Sequence, residues 1–258
     1  MAGVQNRVAL VTGAGGAGGI GFATARLLKE AGAKVAITST TNRIFDRLAE
    51  LGGDAGSSFA MPADLTKKDQ VLALVTAVEE NLGPVDIVVN NAGMVQVGRD
   101  EPSTLLQDTG DEGWQYGIDI NLNSAFLVTR AVLSGMVARN YGRIVQMSSV
   151  TGPVVGIPGS GVYATAKAGL LGMTRALAIE AGPHNVTVNS IGPGWIETDS
   201  SSEAEITAGK YTPVGRPGTP EEIGHVAVFL ASEEASYLTG QLIVVDGGNT
   251  IQEYKVAL

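Results

Sequence analysis

Seven short apolar runs punctuate the chain: Val8 to Val11, Val35 to Ile37, a weaker one near Phe59, Ile87 to Val89, Ile144 to Met147, Val186 to Ile191 and Leu242 to Val245. They are strand-length and rich in β-branched residues, which suit a pleated, packed surface. Between them lie longer stretches whose apolar positions recur at helical spacing, predicting helices over 19–31, 67–82, 113–139, 163–181 and 220–231. Gly32, Gly83, Gly142 and Gly182 stand where those helices should stop, because glycine closes a helix at no steric cost. Strand alternating with helix throughout implies an α/β, doubly wound architecture: a parallel sheet of about seven strands with helices on both faces. No internal repeat, low-complexity tract or linker interrupts the pattern, so one domain over residues 1–258 is expected. In open sheets of this kind ligands bind beyond the C-terminal strand ends, so chemistry is to be sought just after the apolar runs.

Composition narrows what that chemistry can be. Seventeen basic against twenty-six acidic residues give a formal net charge of -9, which disfavours nonspecific attraction to nucleic acid or anionic membrane. There is no cysteine, so thiolate nucleophiles, disulfides and zinc-cysteine sites are excluded, and no metal site is expected. The N-terminal MAGVQNRVAL lacks a basic segment followed by an apolar run, and no stretch approaches eighteen consecutive apolar residues. A cytoplasmic protein is the default expectation.

The first apolar run leads into TGAGGAGGIG, in which six of the nine residues from Gly13 to Gly21 are glycine. A glycine cluster after a strand and before a helix turns tightly, brings backbone amides close to a pyrophosphate and aims a helix N-terminus at its charge. A flexible loop has the same composition. Strand, glycines and helix in that order are the context that favours a dinucleotide cradle, with Gly15, Gly19 and Gly21 spaced as GxxxGxG. About twenty residues past such a cradle an acid usually holds the adenosine ribose when the cofactor is NAD. Here the second strand ends in TSTTNR, and Ser39, Thr40, Thr41 and Arg43 offer hydroxyls and a cation instead of a carboxylate. That favours NADP(H) over NAD(H). Against it, the glycine stretch holds no basic residue, and Arg43 also reads as a solvated residue of a helix's first turn.

Tyr163 and Lys167 are four residues apart, so both project from one helical face. A free tyrosine titrates near ~10, and an adjacent ammonium typically lowers an acid's pKa by ~1–3 units, which makes the pair usable as an acid–base group. The strand Ile144 to Met147 ends in Ser148-Ser149, whose hydroxyls would emerge at the same sheet edge, where one could polarise the substrate oxygen that Tyr163 protonates. Serine after a strand is also an ordinary cap. NNAG, Asn90 to Gly93, follows another strand, either as a turn or as backbone approaching the cofactor.

With the cradle, NNAG, the serine strand, YxxxK and Pro193-Gly194 in this order, the chain resembles the short-chain dehydrogenase/reductase family over nearly its whole length. The resemblance implies a single Rossmann domain and a hydride-transferring oxidoreductase in which Asn121, Ser149, Tyr163 and Lys167 match the catalytic tetrad. Asn121 would hold a helix and a proton-relay water to Lys167. Gly13, Gly15, Gly19, Ile20 and Gly21 match the pyrophosphate cradle, and Asp64, beside Leu65, matches the residue that contacts adenine. Asn91, Ala92 and Gly93 line the adenosine ribose side, while Pro193, Gly194, Ile196 and Thr198 clasp the nicotinamide end. Three features depart from the pattern. The cradle is two residues longer than the usual TGxxxGxG, leaving open which of its glycines meets phosphate. The segment from Gly93 to Asn121 is long, and its acidic DTGDEG fits a surface loop or a pocket wall. Serine and tyrosine are one residue further apart than is commonest, which keeps Ser148 as a second candidate.

Val155, Gly156 and Trp195, with the 195–217 loop region, are expected to shape the substrate pocket. His184 and His225 have no motif context and read as surface residues. Helix 163–181 is apolar almost all round, which predicts burial on every side. Part of that burial would be against a second subunit, in keeping with the family's frequent homotetramers. The first functional expectation is an enzyme interconverting an alcohol and a ketone or aldehyde. The second is a binding protein that senses the NADP redox state, and the intact tetrad argues against it. Within the enzymes, 3-oxoacyl carrier-protein reductases and the sugar, polyol and cyclic-alcohol dehydrogenases are the most similar. An acidic carrier protein needs a basic docking surface. The corresponding places read VARNYG and GPHNVT, with Arg139 the main cation, so a free small molecule is the expected substrate.

Overall fold

The computed structural model describes residues 3–52, 56–94 and 103–253. Seven strands, β1 Val8–Thr12, β2 Lys34–Ser39, β3 Ser58–Pro62, β4 Ile87–Asn90, β5 Gly142–Met147, β6 Val186–Pro193 and β7 Leu242–Val245, form one sheet in the order β3-β2-β1-β4-β5-β6-β7. Every pairing is parallel. The helices between them are α1 Ile20–Glu30, α2 Ile44–Glu50, α3 Lys68–Leu82, α4 Asp111–Ile118, α5 Ser124–Arg139, α6 Gly161–Ala181, α7 Glu203–Lys210 and α8 Pro220–Ala231.

Side chains alternate across the strands, and each face has its own core. Ala9 and Val11 of β1, Val35 and Ile37 of β2 and Val145 of β5 pack with Phe22 and Leu28 of α1 and Ile223 and Ala227 of α8. Their neighbours Val8, Leu10, Ala36 and Ile144 face the other way, onto Leu74 and Val78 of α3, Val128 and Val132 of α5 and Ala178 of α6. Two hydrophobic faces on one sheet explain why β1, β2 and β4 read as continuous apolar runs.

Helix ends follow local chemistry, with one change from expectation. Gly83 closes α3 at φ +105°, and Gly32, at φ +90°, follows the end of α1. Gly142 closes no helix: it opens β5, packed so tightly on Met136 that an added Cβ would lie 2.6 Å from its sulfur. Asn140 ends α5 instead, at φ +54°, a left-handed conformation that asparagine tolerates. The predicted 113–139 helix begins at Asp111 and is broken by a π turn at Asp119–Asn123. This combined run, Asp111–Arg139, is the one helix among the described residues long and apolar enough to cross a membrane. Its most apolar window is 44% buried, with Val128, Val132 and Met136 packed into the core.

Helix α6 also departs from expectation. Val162, Ala166, Leu170 and Thr174 are buried, but Thr165, Ala168, Gly172, Ala176 and Ile179 form an exposed stripe. The acidic DTGDEG builds the start of α4 at the surface and does not line the main cleft.

Candidate active site

Strand β1 ends at Thr12, and Gly13, at φ +68°, turns the chain into the glycine stretch. The Thr12 hydroxyl accepts from the amides of Asn91 and Ala92, both at 3.0 Å, and the Asn91 side-chain amide donates to the carbonyls of Thr12 and Gly13 at 3.1 Å. These bonds lock the end of β4 to the cradle. An added Cβ on Gly13 would lie 2.8 Å from the Ala92 Cα, so the glycine is required by sterics as well as by its φ. Helix α1 opens on Gly19 with no side chain capping it, leaving first-turn amides to an external acceptor. A Cβ on Gly19 would meet nothing nearer than the Gly16 carbonyl oxygen at 3.4 Å, so the bare backbone borders open cleft. The donor set and the shape fit a phosphate group.

At one end of this cradle, Arg43 folds over Gly15, where a Cβ would lie 2.6 Å from the arginine Nε and 2.8 Å from the Ser39 Cβ. Ser39 donates to the Thr41 carbonyl at 3.1 Å. Ser39, Thr40 and Arg43 all line the cleft.

At the other end, β5 delivers Met147, Ser148 and Ser149 against α6. Lys167 Nζ donates to the Met147 carbonyl at 2.9 Å and lies 5.4 Å from the Tyr163 ring centroid. Ser148 Oγ donates back to the Lys167 carbonyl at 2.8 Å, which commits Ser148 to holding the helix. Ser149 Oγ accepts from the Thr151 amide at 3.1 Å, and among the described residues its own proton is given to no acceptor. Asn121, fully buried in the π turn, accepts from the Met94 amide at 2.8 Å and donates to the Gly117 carbonyl at 3.1 Å. Gly93 lies between the two groups: a Cβ there would be 2.7 Å from Asn121 Oδ1 and 3.2 Å from Lys167 Nζ.

All of this borders one cleft of about 840 Å³ at the C-terminal edge of the sheet. It gathers the candidate residues except Gly21, Thr41, Asp64 and Asn121. Gly21 is a packing glycine, where a Cβ would fall 2.6 Å from the Gly13 carbonyl oxygen. Asp64 Oδ1 accepts from the Thr66 amide and hydroxyl at 3.0 and 2.7 Å, and Thr66 rather than Asp64 reaches the cleft wall. Val155, Gly156 and Trp195 line the far end, joined by Ile157, which had no motif to mark it, and by Glu205, Ala208 and Tyr211 of the 195–217 region. The last three belong to or follow α7. Its start is a reciprocal cap between Ser202 and Glu205, an S-x-x-E signal present in the sequence.

Fold and site together define a class: the chain belongs to the short-chain dehydrogenase/reductase family, and it is an NAD(P)(H)-dependent oxidoreductase acting on alcohol and carbonyl groups. A family model described as Enoyl-(Acyl carrier protein) reductase matches residues 13–250. Among individual proteins, the chain is 39% identical to 3-oxoacyl-[acyl-carrier-protein] reductase FabG of Vibrio cholerae, covering 95% of this chain and 98% of that one. It is 37% identical to oxidoreductase UcpA of Salmonella typhimurium, covering 98% of each. A solved structure of a putative gluconate dehydrogenase from Agrobacterium tumefaciens superposes with a TM-score of 0.87 at 32% identity, over 96% of this chain and 97% of that one.

Proposed function

We propose that the cleft binds NADP(H) in preference to NAD(H) and uses Ser149, Tyr163 and Lys167 to interconvert a small secondary alcohol and its ketone, or an aldehyde. The convergence of Ser149, Tyr163 and Lys167 on one cleft with the uncapped start of α1 carries this reading. When bound, the nicotinamide ring supplies or accepts the hydride. Ser149 donates a hydrogen bond to the substrate oxygen and stabilises negative charge gathering there during reduction. Tyr163 delivers the proton to that oxygen, and withdraws it in the reverse direction. Lys167, held by the Met147 carbonyl, keeps a positive charge beside the tyrosine and in reach of a ribose. Asn121 positions the Gly93–Met94 backbone, so its part is to shape the cleft floor. Gly13, Gly15, Gly19 and Ile20 would hold the pyrophosphate, Ala63 to Thr66 the adenine side, and Pro193 to Thr198 the nicotinamide end.

The NADP(H) preference rests on Arg43 lying over Gly15 beside Ser39, with no carboxylate at that strand end. A free small molecule is favoured over a carrier-bound one because Arg139, the main cation of the expected docking face, is tied to the Val85 carbonyl at 2.6 Å and faces Asp86 at 3.7 Å. The exposed stripe of α6, together with Phe126 exposed on α5, supports burial in a homotetramer. Nothing in the composition points away from a cytoplasmic protein without nucleic-acid or membrane partners. A panel of alcohols and carbonyls assayed with both dinucleotides tests the reading, and absence of turnover with tight dinucleotide binding would replace it with the sensor.

A further inference from the structure

The two extra residues of the glycine stretch have a structural use. They fall between Gly13 and Gly19, where Gly18 turns its amide toward Asp199, whose Oδ2 accepts from it at 2.7 Å. Asp199 lies 181 positions away, on the segment that follows β6, so the bond joins two distant parts of the chain. Both parts line one cleft, Gly16 and Gly19 from the glycine stretch and Thr198, Asp199 and Ser200 from the segment after β6. The Asp199 segment is itself stiffened. Ser201 Oγ donates to the Ile196 carbonyl at 2.9 Å and accepts from the Thr198 amide at 2.9 Å, and the next residue caps α7. Asp199 is therefore presented from a braced loop rather than a free one. Gly18 matches it, because a Cβ at that position would overlap the Asp199 carboxylate.

We propose that Asp199 and Gly18 form a clasp across the mouth of the dinucleotide cleft, and that Asp199 is a positioning residue that slows cofactor exchange. The inference rests on the reading that the cleft holds NAD(P)(H). Dinucleotide seated between the walls leaves only when they part, and parting them breaks a hydrogen bond to a charged acceptor, which is stronger than a neutral one. Its exposure to solvent keeps the effect moderate, and a threefold to tenfold change in release rate is expected, where tenfold corresponds to about 1.4 kcal/mol.

The test is stopped-flow release of NADPH, followed by its own fluorescence during a chase with excess NADP, from the wild type, Asp199→Ala, Gly18→Ala and the double variant. Melting of the cofactor-free proteins is recorded alongside. Release at least threefold faster in both single variants, no faster in the double than in the quicker single, and melting within about 2 °C of wild type is the expected result, since both changes break one contact. Release less than threefold faster, tighter NADPH binding, additive effects, or acceleration only with a lowered melting point overturns the clasp. Asp199→Asn keeps an acceptor without the charge and should fall between wild type and Asp199→Ala. If the wild type binds neither NADPH nor NADH, the cofactor reading itself fails, an outcome separate from failure of the clasp.

Discussion

Ser148 and Lys167 hold each other through opposite ends: the serine hydroxyl donates to the lysine carbonyl at 2.8 Å, while the lysine ammonium donates to the carbonyl of the residue before the serine at 2.9 Å. This double tie fixes where α6 stands on the end of β5. Ser148→Ala removes the second of two bonds that this helical carbonyl accepts, so it should lower stability by about 0.5–1.5 kcal/mol. It should disturb turnover far less than Ser149→Ala, for which a loss on the order of 10²–10³-fold in kcat is expected from removing a donor to the substrate oxygen. Thermal melts and kcat on both variants separate the two roles. Equal losses of kcat would mean that the serines had been assigned wrongly.

Tyr163→Phe removes one hydroxyl and little volume. Turnover should fall by ~10²–10⁴-fold, the usual contribution of a positioned acid–base group, while NADPH affinity is kept. Near-native kcat with unchanged affinity would place the proton donor elsewhere.

For cofactor choice, Ser39→Asp sets a carboxylate beside the place where a 2′-phosphate would meet Arg43. The ratio of kcat/KM for NADPH to that for NADH should invert. Arg43→Ala should weaken NADPH and leave NADH nearly unaffected. A wild type with the higher kcat/KM for NADH would end the proposal.

Acid stability has a contributor away from the site at Glu222. The Glu222 carboxylate accepts from Arg216 at 2.7 and 2.9 Å and from the Thr219 amide at 2.9 Å, and the arginine, then that amide, hold its pKa down to about 2. A carboxyl lowered on folding binds protons more weakly in the native state than in the unfolded chain. The stability it adds is therefore complete above its unfolded pKa of ~4.3 and is lost as pH falls toward 2. Glu222→Gln should flatten the fall of melting temperature between pH 5 and pH 2. With the side chain 44% exposed, the effect at neutral pH should be small.

For the quaternary state, light scattering at micromolar concentration should give the mass of four chains. Ala168→Arg, on the exposed stripe of α6, should shift it toward smaller species without unfolding the protomer. A monomeric wild type would leave that stripe without a partner.

The centre of the sheet was readable because both faces of β1, β2 and β4 are buried, so each of these strands left an unbroken apolar run, and the long helices because their buried positions repeat at 3.6 residues. Helix α2 left no such trace: Ile44 is its one buried residue, and one position makes no period. Helix α7 was hidden for the same reason, although Ser202 and Glu205 announced its start. Asn140 took over the helix end expected of Gly142 because the strand begins two residues after it, and tight packing on Met136 requires glycine there. Residues with chemistry were legible where the reaction restricts the side chain, as with Tyr163 and Lys167. What stayed illegible is pairing between distant backbone and side chain: an aspartate after β6 meeting the amide of Gly18 has no spacing to read.

The wide turn at Asp119–Asn123 also has a meaning for insertions and deletions. A regular α-helix turns 100° per residue, so the surplus residue sets the phase between α4 and α5. Deleting one residue there would restore an unbroken helix while swinging α4 about a quarter-turn. That would carry Gly117 off Val162, which leaves no room for a Cβ, and strip the Met94 amide of its acceptor. Length changes should therefore be tolerated in the exposed stretch leading into α4 but not in these five residues, where a single codon determines whether two halves of one rod face the same way.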